Sequence, residues 1–239
     1  MFRESVEASV LAIIPARGGS KRIPRKNIRP FLGIPMLART IGTLKSTNLF
    51  ARIVVSTDDD EIAAIARDSG AEAPFRRPAE LANDAAATLP VIKHGIEELE
   101  RQGFRSEYVC CVYPAAVLSL VQDFVRAYEE LIASGANYVF SATSFPYPIQ
   151  RALRKTSDGH CEMLWPENLQ RRSQDLEPAF HDAGQFYFGR RDAWLTSQPI
   201  FGSRSKLVEL PRHRVQDIDA LEDWDRAEMI FKMLNDGHV

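Results

Sequence analysis

The chain has 239 residues, 45% of them hydrophobic and 26% charged, with a formal net charge of -2. That composition suits a soluble globular protein with one sizeable core. It excludes a membrane protein, because no segment approaches the roughly 18 uninterrupted apolar residues of a span, and the near-neutral charge gives nucleic acid no electrostatic footprint.

The first ten residues, MFRESVEASV, lack the apolar core of a secretory signal and read as a lead-in to the first strand. Val10-Leu11-Ala12-Ile13-Ile14-Pro15 is a short apolar run that predicts a buried strand. It runs into Ala16-Arg17-Gly18-Gly19-Ser20-Lys21-Arg22-Ile23-Pro24-Arg25-Lys26-Asn27. Two glycines there let the backbone approach a ligand with its N–H groups exposed. Arg17, Lys21, Arg22, Arg25, Lys26 and Arg29 concentrate positive charge in a chain that is otherwise balanced. A strand feeding a positive, donor-rich loop suits polyphosphate. The loop fits neither the Walker pattern nor Gly-x-Gly-x-x-Gly, which counts against a dinucleotide-dependent oxidoreductase.

Helical spacing follows at Met36, Leu37, Thr40, Ile41 and Leu44. Residues 52–57 read as a β-branched strand, ending in Asp58-Asp59-Asp60, which cap a helix from Glu61 to Ser69 that stops at Gly70. Ala71–Pro74 is a short strand and turn, and a loop carries the pair Arg76-Arg77. Asn83 or Asp84 is expected to cap a helix from about Ala85 to Gln102, with Leu89, Ile92, Ile96 and Leu99 facing inward. A buried strand spans residues 108–113; its adjacent Cys110 and Cys111 read as reduced thiols. With Cys161 they make three cysteines, too few for a disulfide framework, which points to the cytoplasm. Val121, Phe124, Val125, Tyr128, Leu131 and Ile132 form a stripe ending at Gly135, and residues 137–142 are the next strand. The alternation implies a parallel sheet covered on both faces.

The alternation breaks between Ser144 and Asp182, where four prolines punctuate the chain. This stretch reads as a β-rich insertion, a lid or a dimer arm. Strand character returns at residues 185–188, residues 206–210 predict an edge strand, and Leu221, Trp224, Ala227, Ile230, Phe231 and Leu234 share one face of a final helix.

Two further constellations stand out. If Val215–Asp219 is extended, Asp217 and Asp219 project together while Ile218 packs behind them. Two convergent carboxylates plus phosphate oxygens suit Mg²⁺, although Asp219 also has the position of a helix cap. Arg171-Arg172 and Phe180-His181-Asp182-Ala183-Gly184-Gln185 offer groups for a carboxylate, or are surface loop. His94, His213 and His238 read as structural or solvated, and no His/Cys set has zinc spacing.

Taken together, LAIIPARGGSKRIPRKN, RIVVSTDDDEIA, RRPAELANDAAAT and QDIDALEDWDRAE resemble the CMP-sugar synthetases that activate nine-carbon ulosonic acids. YPIQRAL, WPEN and RSQDLEPAFHDAGQFYFG look most like the branch acting on pseudaminic acid. The resemblance implies an α/β, Rossmann-like nucleotidyltransferase fold over residues 1–239, with a dimerisation insertion at about 145–182. It implies a cytoplasmic homodimer that joins CTP to a nine-carbon sugar acid with Mg²⁺. Carried over by position, Arg17, Gly18, Ser20, Lys21, Lys26, Asn27, Arg77, Asn83 and Asp84 bind the nucleotide. Asp217 and Asp219 hold the metal and, with Arg17 and Lys21, are catalytic. Tyr113, Arg172, His181 and Gln185 face the sugar. Tyr113 stands where the sialic acid enzymes carry Gln, Pro114-Ala115-Ala116 replaces expected hydroxyl residues, and His181 replaces a basic residue. Legionaminic or sialic acid as the sugar, or a nucleotide-sugar-binding protein without catalysis, are the other readings of the same residues.

Overall fold

The computed structural model describes residues 9–235. The expected lead-in at residues 1–8 and His238 lie outside them.

In chain order the elements are β1 (Val10–Pro15), β2 (Pro30–Phe31), β3 (Ile34–Pro35), α1 (Met36–Ser46), β4 (Phe50–Ser56) and α2 (Asp60–Asp68). Then come α3 (Thr88–Arg101), β5 (Tyr108–Val112), α4 (Val121–Ser134), β6 (Tyr138–Ser144), β7 (Leu153–Lys155) and β8 (Cys161–Met163). The chain continues through β9 (Phe180–Arg190), α5 (Arg191–Leu195), β10 (Ser205–Glu209) and α6 (Leu221–Asn235). The main sheet has the order β10-β6-β9-β5-β1-β4. Pairing is parallel except along β9, which runs antiparallel to both β5 and β6.

Strand side chains alternate between two apolar clusters, as the period of two requires. Ala12, Ile14, Val55 and Cys110 face Leu37, Ile41, Ile62 and Phe124 of α1, α2 and α4. Leu11, Ile13, Val54 and Cys111 face Ile92, Ile96 and Trp194 of α3 and α5. The sheet is therefore covered on both faces, and its parallel strands read as continuous apolar runs for that reason. Cys110 and Cys111 are buried free thiols, and Cys161 is exposed.

Several expectations are corrected. α3 begins at Thr88, not Ala85, with Ala87 at its cap and no side-chain cap. Asn83 instead forms a local turn, accepting from the Ala85 N–H and donating to the Glu80 carbonyl, which keeps this segment out of the helix. On α4 the buried face is Phe124, Ala127 and Leu131, while Ile132 is exposed. Leu221 of α6 is exposed as well. Among residues 145–179 the regular structure is the small β7-β8 hairpin and three single 3₁₀ turns. No helix among the described residues is long and apolar enough to cross a membrane.

A third cluster positions the site. Ile23 of the basic loop, Phe31, Met36, Val117, Leu118 and Trp224 pack with Ile218. Ile218 is fully buried although residues 215–220 form no strand. One apolar cluster thus pins the basic loop and the acidic segment to each other.

Candidate active site

At the carboxyl ends of β1, β4 and β5 a cavity of about 460 Å³ opens. That is where open α/β sheets place their ligands. The basic loop contributes Arg17, Ser20, Arg22, Lys26 and Asn27 to its lining. The segment between α2 and α3 contributes Arg77, Asn83 and Asp84, the end of β5 contributes Tyr113, and the segment before α6 contributes Asp217 and Asp219.

The loop is held from within. Asn27, buried, donates its amide to the Arg17 carbonyl at 2.9 Å. Arg25 sits in the left-handed region at φ 58° and binds Asp59 and Glu61. The ion pair with Arg25 holds the Asp59 carboxyl below the usual range, and Asp59 in turn caps α2 through the Ile62 N–H at 3.0 Å. Gly18 has a different role from the one expected. Its N–H is bound by Asp58 at 3.0 Å, and a Cβ there would lie 2.6 Å from the Asp59 carboxylate. The chain needs glycine at this point to let Asp59 approach, and Gly18 does not line the cavity.

Charge in the cavity is internally paired. Arg17 and Lys21 both bind Asp84, the latter at 2.5 Å, and hold its carboxyl below the ordinary value. Lys21 reaches the site through this contact; its own side chain is 81% exposed. Arg22 binds Asp219 at 2.8 Å, and Lys26 lies 3.8 Å from it while donating to the Ile218 carbonyl at 2.6 Å. Asp217 opens onto the cavity, but surrounding protein displaces enough water to raise its pKa, and the Asp219 charge adds to this. Arg77 is the exception to the pairing. It is 4% exposed, bonds only Ser56 and the Leu81 carbonyl, and burial pushes its pKa down to about 10. Its guanidinium is desolvated and hydrogen-bonded only to uncharged oxygens, which leaves its charge free to attract an anion.

The donor set fits a hard divalent cation. Asp217 and Asp219 are two neighbouring carboxylates in the lining of a cavity that also carries cations for phosphate, the oxygen donor set a hard divalent cation takes. Among the described residues no group of three or more His, Cys, Asp or Glu offers a site made of protein alone.

The expected sugar-facing residues fare unevenly. Tyr113 lines the cavity; its hydroxyl bonds that of Thr88, and its ring meets Tyr187 edge-on at 5.7 Å. Gln185 does not face the cavity. It is 3% exposed, receives a bond from the Ser119 hydroxyl and donates to the Arg214 carbonyl at 3.0 Å. His181 is exposed at the start of β9, beside Phe145, and Arg172 is exposed at a 3₁₀ turn in the insertion; neither lines the cavity. His94 lies behind, against Glu98 and Phe75. Thr88 lines the cavity without having been expected there, while Arg22 and Gly184 line it although sequence reasoning placed them only in the basic loop and in the 180–185 stretch. Gly184 adopts φ +62° in a bulge of β9, where Asp182 accepts from its N–H, and the Gly in DAGQ is the signal that could have found it.

Comparison with known proteins adds four findings. Residues 11–223 match the family described as cytidylyltransferase. The chain is 43% identical over 223 residues to a pseudaminic acid cytidylyltransferase of Campylobacter jejuni, covering 93% of this chain and 96% of the relative. It is 30% identical over 229 residues to the CMP-N,N'-diacetyllegionaminic acid synthase of the same organism, covering 95% and 97%. Among solved structures, a CMP:2-keto-3-deoxy-manno-octonic acid synthetase complexed with CTP has the same fold, at a TM-score of 0.68 and 14% identity, covering 95% of this chain and 99% of that one.

Proposed function

We infer that this chain, which belongs to the cytidylyltransferase family, transfers CMP from CTP to the anomeric hydroxyl of pseudaminic acid and releases pyrophosphate. The observation that carries the reaction type is the meeting, in the lining of one cavity, of a basic loop and the Asp217–Asp219 pair. The 43% identity to a pseudaminic acid enzyme, against 30% to a legionaminic acid enzyme, favours the sugar.

The sugar hydroxyl attacks the α-phosphorus and pyrophosphate leaves on the opposite side. Little covalent work falls to the protein, so catalysis is positioning and charge stabilisation. Arg17, Lys21 and Arg22 exchange their carboxylate partners for phosphate oxygens and neutralise the charge that builds on the leaving pyrophosphate. Ser20, Asn27 and the loop backbone fix the triphosphate, and Lys26 holds the acidic segment beside it. Arg77, Asn83 and Asp84 border the nucleotide. Asp217 and Asp219 would hold Mg²⁺, which when bound would stabilise charge on the phosphates and make the attacking hydroxyl more acidic. Tyr113 contacts the sugar acid from the cavity floor. Arg172 and His181 serve the sugar only if a second copy, or closure of the insertion, brings them in.

The chain acts as one cytidylyltransferase domain, and residues 145–182 form its pairing surface. Exposed Tyr147, Leu153, Trp165 and Leu169 in that stretch support this. The buried free thiols Cys110 and Cys111 and the CTP substrate support a cytoplasmic location. The test of the sugar assignment is pyrophosphate release with CTP, Mg²⁺ and a panel of nine-carbon acids. Pseudaminic acid is expected to give the highest kcat/KM; a higher value with legionaminic or sialic acid overturns the assignment.

A further inference from the structure

The acidic segment runs from the end of β10 to the start of α6 with no strand pairing to fix it. Its carboxylates are nevertheless held in the cavity. Ile218 supplies apolar anchorage, and Asp223 binds the N–H groups of Asp219 and Ala220 at 3.1 and 2.9 Å. Those contacts secure the C-terminal side. The N-terminal side is secured by Arg214, three residues before Asp217.

Arg214 is 6% exposed and forms a two-pronged pair with Asp123, at 2.5 and 3.0 Å. Asp123 is 2% exposed and also accepts the Leu120 N–H at the start of α4. The Arg214 carbonyl accepts from Gln185 of β9, and Gln185 accepts from Ser119. Ser119 and Gln185 are each 3% exposed. One buried polar network thus ties the acidic segment to β9, to the loop after β5 and to α4.

A network of this kind is costly unless every member is satisfied. Apolar side chains would bury these positions at less risk. What the network gives is a fixed position: planar, two-pronged and amide contacts hold a backbone more narrowly than apolar packing does. We propose that Ser119, Asp123, Gln185 and Arg214 are positioning residues that set the Asp217–Asp219 pair for its divalent cation. This rests on the reading of that pair as the metal site.

The test follows Mn²⁺ binding by electron paramagnetic resonance, with the whole protein saturated with CTP and no sugar acid present. Gln185→Met and Ser119→Ala remove network bonds with little change of volume, and Arg214→Lys keeps the charge but loses the fork. Each is expected to weaken Mn²⁺ binding by about 10- to 100-fold, the range for residues that orient metal ligands. CTP affinity measured without metal should change less than about threefold, on the same reasoning. Asp217→Asn and Asp219→Asn serve as the reference. If they bind Mn²⁺ as the unaltered chain does, or if the unaltered chain binds none, the metal reading itself fails. If they lose Mn²⁺ while the network variants keep normal affinity and only melt earlier, the network is merely structural and the proposal is overturned.

Discussion

At the residue scale, the cavity separates groups by what they are paired with. Arg17 is bound to Asp84 and Asp219 to Arg22, partners that substrate and metal replace in the proposed reaction. Arg17→Ala and Asp219→Ala are each expected to lower kcat by about 10²- to 10³-fold, the usual cost of one charge-stabilising group. Steady-state rates, with melting curves to show the fold intact, check this. Asp217 carries a cost of its own. Its folded-state pKa is raised, so its ionised form destabilises the folded protein at neutral pH. That cost fades as pH falls through the raised value and is gone below the ordinary aspartate pKa of about 3.9. Asp217→Asn should therefore raise the melting temperature of the metal-free protein at pH 7, and the gain should vanish in acid. Residue types alone singled out Arg17 and Lys26 of the basic loop and the Asp217–Asp219 pair, because dense charge in a chain with a balanced total is visible in one dimension; Arg77 came only with the family resemblance. They could not place Gln185, Arg172 or His181. A polar side chain in a motif looks the same whether it binds a ligand or closes a buried network, and only burial and partners distinguish the two.

At the element scale, the site depends on segments that are not regular elements. The alternation expected for Asp217-Ile218-Asp219 holds, yet the cause is the burial of Ile218 and not a strand. Ile218→Ala is expected to cost about 2–5 kcal/mol, measured by denaturant unfolding, since it opens a cavity where the basic loop meets α6. Ile23 is the partner that sequence reasoning passed over, because an isolated apolar residue between Arg22 and Arg25 has no period to reveal it. β9 shows a second limit. Its apolar run was legible, but its direction was not, since pattern fixes which face is buried and leaves orientation to the connection. The long stretch after β6 allows β9 to return antiparallel between β6 and β5. The start of α3 was misplaced for a local reason: Asn83 and Asp84 look like caps, whereas one makes a turn and the other pairs with the loop cations.

At the scale of the whole molecule, a covered sheet presents a single cavity wall of opposed charges, and the insertion presents apolar side chains to solvent. Sedimentation of the pure protein is expected to give twice the 26.9 kDa chain mass, and a monomer would contradict the role given to residues 145–182. Fold and reaction type were legible because both rest on patterns repeated along the chain or on concentrated charge. The proposed sugar contacts are a few pocket positions such as Tyr113, whose chemistry has no such redundancy. The central claim is the transfer itself, and phosphorus NMR of the protein with CTP, Mg²⁺ and pseudaminic acid tests it most directly. A CMP–sugar phosphodiester resonance should grow in step with equimolar pyrophosphate, and both should be absent when the sugar is omitted. Unchanged CTP, or CTP cleaved equally well without the sugar, would contradict it.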